Sequence, residues 1–305
     1  MPTPPTRIAT LVALSATSRA SLLMLVVAAC NATDTAIIRI VAEDLHPLEI
    51  GFFRNLFSLL LILPWLYRAG PGVLRTSHLS VHVARAVIKL AALVSLFYAI
   101  TIMPLADVTA IAFTTPLFVA IGAVLFLGET MRFRRWGAIL VGFLGVLVVL
   151  RPGTAVFDPR MLAAVASAIG LAAIALLLKL LAGREPLATI VGLNLVITVP
   201  LALLLTLPVW ITPGVDLLGL MVLQGALGAL GQFSAARAMA LADASFLMPI
   251  EFVRLPLVVI LAYVAFGELA DLWTWAGAAL IFVATFYLAR REGRASKVEL
   301  GPQGR

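Results

Sequence analysis

The sequence predicts an all-α integral membrane protein of ten transmembrane helices in two inverted five-helix repeats. Three observations predict it. Of 305 residues, 62% are hydrophobic and 12% charged, about half the charged share of an ordinary soluble domain. The mean hydropathy is +1.10, and apolar runs long enough to cross a ~30 Å hydrocarbon core recur ten times. Landmarks of the first half also return in the second at one fixed offset.

Taken in order, the apolar runs fall at 21–42, 47–67, 81–101, 104–127, 133–150, 160–181, 187–209, 216–239, 244–267 and 272–290. Residues 1–20 read as a cytoplasmic N-terminal segment. Arg7 and Arg19 precede a run ending Val27-Ala28-Ala29-Cys30, which has the look of a lipoprotein cleavage signal. Apolar character continues past Cys30 to Val41, so 21–42 is read as an uncleaved first span. Residues 21–151 form the first repeat and 159–290 the second, and 291–305 read as an unstructured basic cytoplasmic tail.

The charge of the connections gives the orientation. The net charge is +7, and alternate connections carry Arg68 with Arg75, then Arg132, Arg134 and Arg135, then Arg184. The opposite side carries Glu43, Asp44, Glu49, Asp107, Asp216, Glu268 and Asp271, with Arg151 and Arg160 as exceptions. Under the positive-inside rule both termini are cytoplasmic, in a cell inner membrane. Basic residues confined to short loops do not make a nucleic-acid surface, and none is expected. The single Cys30 excludes an intrachain disulfide and a multi-cysteine metal site; no metal or cofactor is expected.

The internal repeat is carried by five landmarks. Pro47-Leu48 returns as Pro186-Leu187, Asn55 as Asn194, Gly128-Glu129 as Gly267-Glu268, Trp136 as Trp275 and Arg151 as Arg290, each 139 positions on. Five spans is an odd number, so the second copy enters the membrane upside down, a plan that recurs in secondary transporters. The register breaks once. Ala106-Asp107 matches Ala242-Asp243 at an offset of 136, which leaves three extra residues between Asp243 and Glu268.

Two segments, LADVTAIAFTTPLFVAIGAVLFLGE in the fourth span and LADASFLMPIEFVRLPLVVILAYVAFGE in the ninth, carry a resemblance. With the WGAILVGFLGVLVVLRPG and WAGAALIFVATFYLARRE segments that follow them, they resemble the EamA-type branch of the drug/metabolite transporter superfamily, over about residues 20–292. The resemblance implies a central cavity lined by spans one to four and six to nine. Spans five and ten stand aside, often as a homodimer surface. It implies a small organic metabolite as solute, with efflux the first expectation. Uptake of riboflavin or S-adenosylmethionine is the alternative.

Ionisable and polar groups inside the spans are the candidate solute contacts, because charge at that depth is costly and needs protein or water partners. Asn31 and Asp34 share a face of the first span, Arg54 lies in the second, and Lys89 follows Arg85 by one turn in the third. Thr114 precedes Thr115 and Pro116 in the fourth, and Gln224 lies on a glycine-lined face of the eighth. Glu251 and Arg254 are three residues apart near the middle of the ninth, between Pro249 and Pro256. Asp34 and Glu251 are the expected ion-coupling carboxylates. Structural alternatives stand beside these: Arg54 as partner of Glu49 or Asp34, Asn55 and Asn194 as helix-packing amides, and Arg85 and Lys179 reaching the cytoplasmic interface. No GxxxxGK[ST], GxSxG or HExxH pattern occurs, which argues against ATP-driven transport and against an intramembrane hydrolase.

Overall fold

In the computed structural model, residues 16–128, 133–182, 184–241, 247 and 250–299 are described. Among them there are helices and no strands. The helices are α1 (Ala16–Val41), α2 (Pro47–Ala69), α3 (Leu79–Ile102), α4 (Leu105–Ala112), α5 (Thr115–Leu127), α6 (Phe133–Leu150), α7 (Leu162–Ala182), α8 (Leu187–Thr206), α9 (Val215–Leu241), α10 (Arg254–Phe266) and α11 (Leu272–Glu299). Seven described stretches are long and apolar enough to cross a membrane, one of them Leu105–Phe126 across α4 and α5. Three shorter apolar helices, Trp136–Leu150, Arg254–Phe266 and Leu272–Leu288, stand where the fifth, ninth and tenth spans are predicted. Glu129, Asp243, Pro249 and the Lys179 side chain lie outside the described residues. One expectation needs correction: the basic tail after 290 is helical through Glu299.

Local chemistry explains the helix ends that matter here. His46 accepts from the Leu48 amide, while the Glu49 carboxylate accepts from the His46 amide at 3.2 Å. With Pro47 in the first turn, where its missing N–H costs nothing, this reciprocal cap starts α2. The second Glu49 oxygen accepts from the Ile211 amide at 2.7 Å, which ties α2 to the connection before α9.

The fourth predicted span is broken at Phe113–Thr114, between α4 and α5. Pro116 has no N–H for the Ala112 carbonyl, and the Thr115 hydroxyl takes that carbonyl at 2.8 Å. The Thr114 hydroxyl likewise donates to Ile111 at 2.6 Å. A second break falls at Phe252–Val253, before α10. There Pro256 leaves the Phe252 carbonyl to the Leu255 amide at 3.0 Å. The two breaks are 139 positions apart, and their phenylalanines stack with ring centroids 4.1 Å apart. The repeat register therefore extends back to Phe113. The three-residue excess lies ahead of the break, in a segment only partly described.

Packing is close and pairwise. α1 packs on α9 and α10, α2 on α8 and α9, α3 on α7 and α8, α5 on α7, α4 on α10, and α6 on α11. Between apolar helices in lipid, dispersion contacts at small residues take over from hydrophobic burial. The α6–α11 seam shows this. A Cβ on Gly145 would sit 2.8 Å from the Gly277 carbonyl oxygen, and one on Gly277 would sit 2.7 Å from the Gly145 carbonyl oxygen. Neither backbone can yield, so Gly145→Leu is expected to destabilise the protein by about 1–3 kcal/mol. Thermal unfolding in detergent checks this. Gly137→Leu, which meets nothing within 4 Å, is the control that leaves the midpoint unchanged.

Candidate functional site

The polar residues of the spans gather in the middle of the bundle. Asp34 of α1 accepts from Arg54 of α2 at 3.0 Å, so the pairing left open in the sequence goes to Asp34 and not to Glu49. The second Asp34 oxygen and the Arg54 Nε are buried without a hydrogen-bond partner. One turn from Asn31, the Thr35 hydroxyl donates to the Asn31 carbonyl at 2.8 Å. It also accepts from Arg254 at 3.2 Å. Arg254 opens α10, so this contact joins the two halves of the chain. Glu251 lies one turn before it and is partly buried, but among the described residues it makes no ion-pair contact with Arg254.

α9 supplies the opposite wall through its glycines. Gly225 faces Phe57 and Ser58, Gly228 faces Arg54, and Gly231 faces Cys30 and Asn31. Spaced by three, they form one face that lets the backbone of α9 approach α1 and α2. Ser58 donates to the Gly225 carbonyl at 3.3 Å. Gln224 is fully buried, and neither end of its amide has a partner among the described residues. Thr114 is fully buried with its hydroxyl committed to Ile111, so its side chain serves the helix break.

A second cluster lies beside the first. The Lys89 ammonium donates to Asn55 Oδ1 and to Asn194 Oδ1, both at 2.8 Å. The two asparagines are buried and stand 139 positions apart in the sequence, so one cation of α3 bridges α2 and α8. Arg85, one turn nearer the start of α3, donates to the Ile190 carbonyl at 3.1 Å.

Both ends of the bundle are closed by polar ties. At the α1–α2 end, Arg39 pairs with Glu268 at 2.9 Å and donates to the Met103 and Ile100 carbonyls. Glu268 also accepts from the Leu105 amide at 3.0 Å. Arg151 pairs with Asp271, and Thr274 donates to Asp107. At the α2–α3 end, Glu185 accepts from Thr76, His78 and His82, the last at 2.7 Å with its side chain fully buried. Sequence reasoning missed this cluster. The signal available was an acid immediately ahead of Pro186 and two histidines four apart.

Burial by itself would raise the Glu185 carboxyl, but the donors from Thr76, His82 and His78 outweigh it and hold the group below its ordinary range. A lowered carboxyl contributes stability that is present above its unfolded value and is lost as pH falls through the folded one. Thermal stability in detergent is therefore expected to drop between about pH 5 and 3. Glu185→Gln should flatten that drop and lower stability at pH 7 by about 1–3 kcal/mol.

The chain compares with known proteins as follows. Residues 18–151 match the model of the EamA-like transporter family. An S-adenosylmethionine uptake transporter of Rickettsia felis is 33% identical over 82% of this chain and 85% of its own length. A riboflavin transporter of Brucella anthropi is 33% identical over 81% and 89%. A pseudopaline exporter of Pseudomonas aeruginosa is 28% identical over 84% and 90%. A solved crystal structure shares the fold over 89% of this chain and 98% of its own, with a TM-score of 0.59 and 20% identity. The chain is a multi-pass membrane protein of the EamA-like family, in the drug/metabolite transporter superfamily, and it transports small metabolites.

Proposed function

We propose that the protein is a secondary active carrier, not an enzyme, working by alternating access across the cell inner membrane with both termini in the cytoplasm. Its ten spans form two inverted five-helix repeats. Three features support this: the 139-residue register, the two helix breaks at matched positions, and the exchange of packing partners between halves. Where α1 packs on α9 and α10, its mate α7 packs on α3 and α5. The family-model match over residues 18–151 ends where the first repeat is read to end.

The solute site lies between Asp34, Arg54, Gln224 and Arg254, with Asn31 and Glu251 at its edge. The observation that carries this reading is the Arg254–Thr35 contact, which brings a charge of the second half onto the helix that holds Asp34. Coupling to an ion gradient runs through Asp34 or Glu251. Of the two directions, uptake is the one the relatives favour, and S-adenosylmethionine is the first solute to test, with riboflavin second. A homodimer through α6 and α11 uses exposed side chains such as Leu140, Leu144 and Leu147 of α6 and Val283 of α11, because the Gly145 and Gly277 backbones are already committed to each other.

Proteoliposomes loaded with unlabelled solute are expected to take up labelled S-adenosylmethionine or riboflavin by counterflow, faster with an imposed proton gradient. Arg254→Ala together with Glu251→Gln should cut the rate at least about tenfold. Unchanged transport in that variant would remove the proposed site, while failure of both solutes in the native protein would remove the substrate assignment.

A further inference from the structure

Resting on that reading, the geometry points to a dedicated anion subsite around Lys89, which takes a carboxylate or phosphate group of the solute. Lysine has three N–H donors. Two are spent on Asn55 Oδ1 and Asn194 Oδ1, and the third has no protein acceptor among the described residues. Because the ammonium binds both carbonyl oxygens, both amide nitrogens must turn away from it.

The repeat mates then differ. Asn55 donates its amide nitrogen to the carbonyl of Gly51, one turn back, at 2.7 Å. The equivalent acceptor for Asn194 is the Ile190 carbonyl, and Arg85 already occupies it at 3.1 Å. Asn194 Nδ2 is consequently buried with no partner, as are Arg85 Nε and Arg54 Nε. Of these donors, the Asn194 amide belongs to a direct partner of Lys89 and Arg85 lies one turn before it on α3, while Arg54 Nε stands on the side chain that pairs with Asp34, whose second oxygen is also unsatisfied. An orphaned buried donor costs about 1–3 kcal/mol, and a single acceptor-rich group placed among them answers several at once.

Charge points the same way. Arg54 on α2 and Arg85 on α3 are the charged groups that bear on Lys89, and Arg54 is already paired with Asp34 of α1. His82 and Glu185 are paired to each other toward the α2–α3 end. α4 brings only Asp107, which lies at the opposite end and is held by Thr274. α8 carries no charged residue, and α7 carries only Lys179. Lys89 and Arg85 have no carboxylate within ion-pair distance among the described residues. An intramembrane cation without a counter-charge is expensive, and a bound anion offsets that cost. Lys89 stands about 15 Å along α3 from its first residue, too deep for a lipid headgroup.

Two matched pairs of probes test the subsite by calorimetry on the purified full-length protein. They are riboflavin 5′-phosphate against riboflavin, and S-adenosylmethionine against its decarboxylated analogue. The anion-bearing member is expected to bind at least about tenfold more tightly, a gap that closes in Lys89→Met and narrows in Asn194→Ala, which keeps the lysine. An equal gap in both variants overturns the proposal. The protein has three lysines, Lys89, Lys179 and Lys297, so carbon-13 labelling gives three ε-methylene signals and a solute-independent readout. Succinate or inorganic phosphate is expected to shift the Lys89 signal alone, even if none of the four probes binds. In that event the substrate assignment fails and the subsite stands. No shift with either anion overturns the subsite, as does a shift that follows phosphatidylglycerol content in nanodiscs and ignores the soluble anions.

Discussion

Inside a hydrocarbon core a polar group facing lipid has no water to turn to, so it must find its partner in the protein or in a wet cavity within it. That constraint organises this bundle. Where prolines remove an N–H, at Pro116 and Pro256, the freed carbonyls are taken by the Thr115 hydroxyl and the Leu255 amide. Where a carboxylate enters, at Asp34, an arginine from the next helix meets it. Groups that the protein leaves unsatisfied, such as both ends of the Gln224 amide and the free nitrogen of Asn194, stand out against this background. The proposed solute contacts are placed among them.

The proposed two-fold plan makes the exceptions readable. The mate of Glu251 is Ala112 and the mate of Arg254 is Thr115, so one break carries charge where the other carries a hydroxyl and an alanine. The mate of Gly51 is Ile190, whose carbonyl serves Arg85. Symmetric breaks let two helices bend at one level, with Phe113 and Phe252 stacked between them. At the proposed site, asymmetric side chains at that level give a solute one orientation. A carrier needs both properties: a scaffold that presents similar energies to the two sides, and a site that does not average over two poses.

Much of the fold is legible in the sequence because hydropathy, proline and a repeat register are local signals. Span positions follow from apolar length, and the break at Phe113–Thr114 follows from Pro116. The site is only half legible. Asp34 and Arg54 are visible as costly charges, yet nothing local decides between Asp34 and Glu49 as the arginine's partner; the helix packing decides it. The clasp of Lys89 between Asn55 and Asn194 joins residues 34 and 105 positions from it, and such contacts leave no mark on periodicity. The Glu185–His82 pair was hidden for the same reason, since a histidine at a helix start reads as a solvated loop group until another connection folds over it.

The placement of polar ties bears on how such a bundle would move. At each end, charged pairs cross between halves: Arg39 with Glu268 and Arg151 with Asp271 at one, His78 and His82 with Glu185 at the other. Breaking the part-exposed Arg39–Glu268 and Arg151–Asp271 pairs exchanges them for water at small net cost, whereas the buried His82–Glu185 pair costs more to part. The contacts farther from the ends, Arg254 with Thr35 and Lys89 with Asn194, join the halves through buried or part-buried groups. In the proposed cycle, a solute carrying its own acceptors takes them over as the halves part. Under the proposed alternating access, ends that open around a centre held by donors and released by a matching ligand couple solute binding to the change of access.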